Sequence, residues 1–301
     1  MLSRHILLIN LNIEAVKKLI YLFLLLIVIS PNLVFGQKTD VPLLGVCATM
    51  DKVPLVHKHG YTFIQPTVAE ILQPQKPDSL YDGHSNNIDF PLDMVVCNVF
   101  IPGSIKTTGP DVNEQKIIAY ATRVFERAEK LNIRLIVFGS GASRMIPDGF
   151  DKNVARKQFV DISRKLAVLA AQYDIVLSLE SQNKEECNFI NTLQEAILIA
   201  KKVDHPNFRV TVDTYHMMRE NEPADHIIDG GKYIYHCDIG EKETRSAPGV
   251  KGDNFVPYFR AFQQIGYKGM IALECRFTDL ETELPLAKET IAKQWELAKK
   301  L

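Results

Sequence analysis

The stretch YIYHCDIG, residues 233–240, places two polar side chains in what otherwise has the composition of a buried β-strand. His236 and Asp238 are two positions apart, so on a strand both side chains point to the same face of the sheet. Burying a charged side chain costs several kcal/mol unless the charge is paired or bound to a metal. Asp238 therefore needs a partner in the folded chain.

Seven further apolar runs lie along the chain, separated by longer charged stretches with helical periodicity. The eight runs are LLGVCA (43–48), YTFIQP (61–66), DMVVCNVF (93–100), IRLIVFGS (133–140), DIVLSLE (174–180), FRVTVD (208–213), YIYHCDI (233–239) and GMIALEC (269–275). The clearest helix candidates are residues 113–131, 153–173, 191–203 and 285–301. This alternation predicts an α/β fold, a single (β/α)8 TIM barrel spanning residues 37–301. A doubly wound open sheet is the alternative, but no GxGxxG motif follows the first run.

The first 36 residues differ from the rest of the chain. Lys17 and Lys18 precede the apolar run LIYLFLLLIVIS (19–30), and a small-residue site ends at Gly36. This order is typical of a secretory signal peptide, and the run is shorter than the roughly 20 residues of a spanning helix. We expect residues 1–36 to be removed and the mature protein to be secreted to the periplasm, without a membrane attachment. An uncleaved membrane anchor is the alternative.

The charge and the cysteines exclude other classes of protein. A net charge of −1 gives no reason to expect nucleic acid or an acidic membrane as a partner. The five cysteines are dispersed and form no CxxC motif, so they predict buried thiols rather than a disulfide framework or a zinc knuckle.

Acidic residues occur at or near the ends of the last four predicted strands. They are Glu180, Asp213, Asp238 and Glu274. The carboxyl ends of barrel strands meet at one face, where four carboxylates repel one another unless a cation binds between them. Oxygen ligands suit a hard divalent cation, Mn²⁺ or Mg²⁺, better than zinc. The alternative is that each acid caps the following helix or is solvated.

Five segments together resemble one family. They are GSGASRMIPDGF (139–150), LESQNKEECNFINT (179–192), HPNFRVTVDTYHM (205–217), HCDIGEKETRSAPG (236–249) and IGYKGMIALE (265–274). The chain resembles the sugar isomerase/epimerase branch of the xylose-isomerase-like TIM barrels, which includes ketose 3-epimerases and hydroxypyruvate isomerase.

The resemblance implies roles for individual residues. The implied metal ligands are Glu180, Asp213, Asp238 and Glu274. The third ligand position usually holds His or Gln, so Asp238 is a departure, and ligation by His236 is the alternative. The implied substrate contacts are Glu186, His216, His236 and Arg245. Each also has a structural alternative: Glu186 as a solvated acid, His216 as a hydrogen-bonded residue at a helix start, and Arg245 as a loop charge. Arg144 is expected either in a salt bridge or at the substrate.

These observations predict a divalent-metal-dependent isomerase or epimerase of a free sugar. Glu180 and Glu274 would be the catalytic pair that moves a proton through an enediolate. The main alternative is a lyase or hydratase that acts on a 3-keto sugar or glycoside with the same metal site. A metal-dependent phosphodiesterase and a catalytically inactive sugar-binding protein are further alternatives, and the Asp238 departure favours the second. The expected partners are a small-molecule sugar and, in a homo-oligomer, other copies of the chain.

Overall fold

The structure, a computed structural model, describes residues 41–81, 92 and 94–300. Its parallel strands are β1 (Leu43–Val46), β2 (Phe63–Ile64), β3 (Met94–Val95), β4 (Leu135–Phe138), β5 (Val176–Glu180), β6 (Phe208–Asp213), β7 (Ile234–Ile239) and β8 (Met270–Leu273). The predicted signal peptide, residues 1–36, lies outside the described residues. Within the described ranges, no helix has both the length and the apolar character needed to cross a membrane.

Helices alternate with the strands. The α-helices in the described residues are α1 (Val53–Lys58), α2 (Val68–Ile71), α3 (Glu114–Lys130), α4 (Gly141–Arg144), α5 (Lys152–Ala171), α6 (Leu193–Val203), α7 (Thr214–Arg219), α8 (Asp225–Gly230), α9 (Val256–Gln264) and α10 (Leu280–Ala298). The four long helices that periodicity predicts are all present. The shorter ones were not predicted, because few turns give too little periodic signal.

The eight strands close into a barrel. Strand order runs from β3 through β2, β1, β8, β7, β6 and β5 to β4. Cys97, just beyond β3, joins the two edges: its N–H donates to Leu135 O at 3.1 Å, and its carbonyl accepts from Val137 N at 2.7 Å. The prediction of a (β/α)8 barrel is confirmed, and the open-sheet alternative is wrong.

The start of α10 differs from the prediction. The helix begins at Leu280, not at Pro285, and Asp279 caps it by accepting from Glu281 N at 3.1 Å. The Glu283 carboxylate returns to the cap and accepts from Asp279 N at 3.1 Å. Pro285 lies inside the helix, where it forgoes one intrahelical hydrogen bond, so the acidic cap, and not the proline, marks where this helix begins.

The inside of the barrel holds its own apolar cluster, formed by Phe63, Val96, Leu135, Val137 and Ala272. Gly45 on β1 pairs with Phe63, and a Cβ at Gly45 would overlap the Phe63 ring. The ring also makes an edge contact with His236, with centroids 6.1 Å apart. Phe63 therefore fills the barrel beneath the polar residues at its carboxyl-terminal face.

The cysteines are all free, as predicted. Cys97, Cys187 and Cys237 are buried. The prediction of burial is wrong for Cys47 and Cys275, which are only half-buried because each lies just beyond a strand end, at the wall of a cavity.

Gly45→Ala is expected to lower the free energy of unfolding by about 1–3 kcal/mol, because the new methyl group overlaps the Phe63 ring in a closely packed interior. Chemical denaturation measures this loss. In a Phe63→Leu background the same substitution should cost less, and additive costs would contradict the proposed contact.

Candidate active site

Four acids lie at the carboxyl-terminal face of the barrel. Glu180 and Asp213 are the last residues of β5 and β6, Asp238 is the last but one of β7, and Glu274 directly follows β8. Neighbouring strands align them, since Asp213 pairs with Asp238. Glu180, Asp213 and Asp238 are at most 2% exposed, whereas the side chain of Glu274 is 22% exposed. The strand ends therefore bring these carboxylates to one face, as the sequence predicts.

The first group of side chains at this face is Glu180, Asp213 and His216, whose ligand atoms all lie within 4.8 Å of one another. Asp213 caps α7 and accepts from His216 N at 3.0 Å. His216 Nε2 lies 3.6 Å from both Glu180 Oε1 and Asp213 Oδ2. Its Nδ1 accepts from Asn183 N at 3.1 Å, so the ring proton is on Nε2. His216 therefore offers a donor to this face and not a lone pair for a metal.

The second group is Cys47, Asp238 and Glu274, again within 4.8 Å of one another. Asp238 Oδ1 accepts from Gln65 Nε2 at 2.9 Å. His236 Nε2 lies 2.8 Å from Gln65 Oε1 and 3.2 Å from Asp238 Oδ1. His236 is fully buried and is not on the cavity wall, so it orients Gln65 and Asp238.

Arg245 joins the two groups. Its Nη2 donates to Asp213 Oδ2 at 3.0 Å and lies 2.7 Å from Glu274 Oε2. Burial works against its charge, but Glu274 and Asp213 outweigh that effect and raise the pKa of the guanidinium, which stays charged. Arg245 Nη1 is 3.9 Å from Glu186 Oε2, and the guanidinium stacks over the Tyr215 ring at 4.7 Å.

A buried carboxylate shapes the loop that carries Arg245. Glu241 is fully buried and accepts from the Ser246 hydroxyl at 2.8 Å. It also accepts from the backbone N–H groups of residues 249, 251, 252 and 253. Arg245 itself has a φ of +52°, a left-handed conformation that is uncommon outside glycine. The loop contacts of Glu241 stabilise this conformation and so fix the position of the guanidinium.

Arg144 has a structural place that differs from both expectations. It is fully buried, and its guanidinium donates to the carbonyls of Phe138 (3.2 Å), Glu180 (2.8 Å) and Phe189 (3.3 Å). Arg144 therefore makes no salt bridge with the described residues, and it is not on the cavity wall. Its hydrogen bonds connect the end of β5 to the end of β4.

Three of the acids have a shifted pKa. Burial raises the pKa of Glu180, and the charges of Glu274, Asp213 and Asp238 raise it further. Burial raises the pKa of Glu274 to about 8 despite the opposing effect of Arg245. Burial also acts against ionisation of Asp213, yet its neighbours His216 and Arg245 outweigh that effect and hold the pKa of Asp213 below its usual value. Burial lowers the pKa of His216, so its imidazole is neutral near pH 7.

A cavity of about 320 Å³ opens beside these residues, which is at the lower end of the range for ligand pockets. It is lined on the β1–β3 side by Cys47, Thr49, Gln65, Thr67, Glu70 and Asn98, and on the other side by Arg245, Glu274, Cys275 and Arg276. Asn98 Nδ2 donates to Glu274 Oε1 at 3.1 Å, so it orients the one acid of the four on the cavity wall.

The donor atoms fit a divalent cation. Glu180 Oε1 and Asp238 Oδ2 are buried and have no hydrogen-bond partner among the described residues. Orphaned carboxylate oxygens are costly in a protein interior, and a bound cation would satisfy them. A cation at this face would be held by Glu180, Asp213, Asp238 and Glu274.

The structure adds residues that the sequence analysis did not assign to the site. These residues come after the early strands: Cys47 follows β1, Gln65 follows β2, and Asn98 lies three residues beyond β3. Their positions are equivalent to those of the acids on the later strands. That equivalence was the available signal, but a thiol and two amides carry no charge to mark them. At the 4.8 Å spacing the four acids fall into two groups, Glu180 and Asp213 with His216, and Asp238 and Glu274 with Cys47.

The chain belongs to the xylose isomerase-like TIM barrel family, whose sequence profile matches residues 53–295. D-psicose 3-epimerase from Ruminiclostridium cellulolyticum is 30% identical over 176 residues, which cover 57% of this chain and 59% of that enzyme. Two further curated relatives, an L-ribulose 3-epimerase and a ketose 3-epimerase, are matched over 42% and 38% of their length. The chain thus spans about half the length of the curated relatives it matches.

Solved structures share the fold. D-allulose 3-epimerase from Methylomonas sp., in complex with D-allulose, superposes with a TM-score of 0.71 at 21% identity, over 84% of this chain and 97% of that chain. The IOLI protein, with a bound zinc atom, has a TM-score of 0.67 at 18% identity, over 85% of this chain and 98% of that chain. Divalent metals are therefore bound within this fold family.

The raised pKa of Glu274 makes the metal-free protein sensitive to pH. A carboxyl whose pKa rises from 4.5 to about 8 on folding contributes stability below its unfolded pKa and loses it as the pH rises through 8. The free energy of unfolding of chelator-treated protein should therefore fall between about pH 5 and 8, and Glu274→Gln should reduce the fall. Exposed Glu185→Gln is the control, and parallel profiles for Glu274→Gln and wild type would contradict the assignment.

Glu241→Gln is expected to loosen the Arg245 loop, because an amide has a single acceptor oxygen where the carboxylate serves five donors. Hydrogen exchange at residues 249–253 should accelerate about tenfold or more, as expected for losing hydrogen bonds to a charged group. Exposed Glu243→Gln in the same loop is the control. Equal exchange in the two variants would show that the carboxylate does not hold the loop.

Proposed function

We propose that this chain is a divalent-metal-dependent epimerase or isomerase of a free sugar. The observation that carries this proposal is a pair of carboxyl groups with raised pKa, buried Glu180 and half-buried Glu274, from strands on either side of the Asp213 and Asp238 pair. Glu274 lies on the cavity wall and Glu180 at the same face of the barrel. Two such carboxyl groups would meet the need of a reaction that removes a proton from carbon and returns it.

The metal would be held by Glu180, Asp213, Asp238 and Glu274, with His236 and Gln65 orienting Asp238. When bound, a divalent cation would polarise the substrate carbonyl and acidify the adjacent C–H group.

Proton transfer is the task of the two glutamates. One carboxylate takes the proton from the carbon beside the carbonyl, which leaves an enediolate of the sugar. The other carboxylic acid returns a proton, to the opposite face of the carbon in an epimerisation.

Polar side chains beside the acids would orient the sugar. His216 presents its Nε2–H beside Glu180 and Asp213, and a neutral imidazole donates to a hydroxyl without adding charge. Arg245 and Glu186 face each other at 3.9 Å, and the Glu186 side chain is 35% exposed. These three are the proposed substrate contacts, whereas buried His236 acts through Asp238.

The substrate class follows from the same site and from the relatives. The ketose 3-epimerases that the chain resembles support a ketose. The proposed export of the chain to the periplasm favours a free sugar over a sugar phosphate. None of the relatives named above is a lyase or hydratase, and no contact among the described cavity residues favours that alternative.

Deuterium exchange tests the proposal. Wild-type protein with Mn²⁺, Mg²⁺ or Zn²⁺ in D₂O should incorporate deuterium beside the carbonyl of one of D-fructose, D-tagatose and D-allulose, as followed by NMR. Glu180→Gln and Glu274→Gln should each reduce the rate by about 10²-fold or more, with the fold retained by circular dichroism. Glu185→Gln removes an exposed carboxylate nearby and is the matched control.

Three outcomes would contradict the proposal. Full activity in either glutamine variant would reject the two-carboxylate mechanism. Tight sugar binding without exchange in wild type would identify an inactive binding protein. Release of a substituent from a 3-keto glycoside without reprotonation would identify a lyase.

A further inference from the structure

The ring of strand ends that carries the acids continues onto β1. Going round the barrel, β5, β6, β7 and β8 present Glu180, Asp213, Asp238 and Glu274, and β1 pairs with β8. Cys47 directly follows β1, and its N–H donates to Leu273 O at 2.9 Å. This places a half-buried thiol beside the last acid of the ring, on the cavity wall.

The spacing is close to that of a mixed sulfur and oxygen metal site. Cys47 Sγ lies 3.9 Å from Asp238 Oδ1, and ligand atoms of Cys47, Asp238 and Glu274 are all within 4.8 Å. With Zn–S of about 2.3 Å and Zn–O of about 2.0–2.2 Å, tetrahedral ligands are about 3.5 Å apart. Side-chain movements of less than about 1 Å would bring the ligand atoms of Cys47, Asp238 and Glu274 to the spacing that one bound cation requires.

A second observation in this group is a buried oxygen without a partner. Asp238 is 0% exposed, and its Oδ2 has no hydrogen-bond partner in the described part of the chain. Its Oδ1 is held by Gln65, so the carboxylate is oriented with one oxygen left over.

A divalent cation would offset part of the negative charge here. A thiolate, Asp238 and Glu274 carry three negative charges, of which the cation would offset two. The Arg245 guanidinium, 2.7 Å from Glu274 Oε2, is shared with Asp213, whose Oδ2 it contacts at 3.0 Å.

We propose that Cys47 is a metal ligand, which together with Asp238 and Glu274 gives this site a preference for thiophilic divalent cations such as Zn²⁺ and Co²⁺ over Mn²⁺ and Mg²⁺. The inference rests on the proposed function for the presence of a metal, and it identifies the kind of metal. Binding forms the metal–sulfur bond, breaks the S–H bond and releases the thiol proton to solvent. Thiolate ligands select zinc-like ions, whereas an all-oxygen set suits harder ones.

Cobalt spectroscopy tests the thiolate directly. Chelator-treated wild-type protein titrated with Co²⁺ should develop an intense near-ultraviolet sulfur-to-cobalt charge-transfer band. Cys47→Ser should lose the band. Cys275→Ser is the matched control, because Cys275 is half-buried on the same cavity wall, lies outside both ligand groups and donates to Ile239 O at 3.2 Å.

Metal affinities give a second readout. Calorimetry should show that Cys47→Ser lowers the ratio of Zn²⁺ to Mn²⁺ affinity at least tenfold, while Cys275→Ser leaves it unchanged. Cobalt binding without the band, or a band that survives in Cys47→Ser, would overturn this inference alone. If wild type binds none of these ions, the metal site of the proposed function fails with it.

Discussion

Repulsion between buried carboxylates is the constraint on which the site depends. Parallel strands deliver Glu180, Asp213, Asp238 and Glu274 to one face, where little water screens their charges. The Arg245 guanidinium pairs with Asp213 and Glu274, and the amides of Gln65 and Asn98 donate to Asp238 and Glu274. One guanidinium does not neutralise four acids. The pKa values of Glu180 and Glu274 are raised mainly by burial and further by the charges of the neighbouring acids. A bound cation, or protonation of a carboxylate, would relieve the repulsion.

Several features of the surrounding structure hold the charged side chains in place. Arg245 contacts Asp213 and Glu274 from a left-handed backbone conformation, and buried Glu241 accepts hydrogen bonds from the loop that carries it. Phe63 fills the barrel directly under His236, which in turn positions Gln65 and Asp238. The packing of Phe63 inside the barrel and the hydrogen bonds of Glu241 in the loop therefore help to fix the positions of Asp238 and Arg245.

The sequence predicts what depends on local pattern. Eight apolar runs, four long periodic helices and acids at strand ends such as Asp213 are all visible in it. Contacts between residues that are distant in the sequence are not visible in it. Gln65 meets His236 across the barrel, and Cys47 meets Glu274 only because β1 closes against β8. The direction of the His216 ring proton depends on a backbone N–H of Asn183 in another loop. The start of α10 was misplaced because Pro285 is a stronger signal in sequence than the Asp279 cap that determines it.

Arg144 has a consequence for the rigidity of the barrel rim. Its guanidinium links the end of β4, the end of β5 and the segment that includes Phe189, so this part of the rim cannot move outward without breaking several buried hydrogen bonds. The cavity residues Thr49, Thr67 and Glu70 lie on the β1–β3 side and take no part in these bonds. Substitutions at these three positions would therefore reshape the cavity while the braced part of the rim keeps its hydrogen bonds.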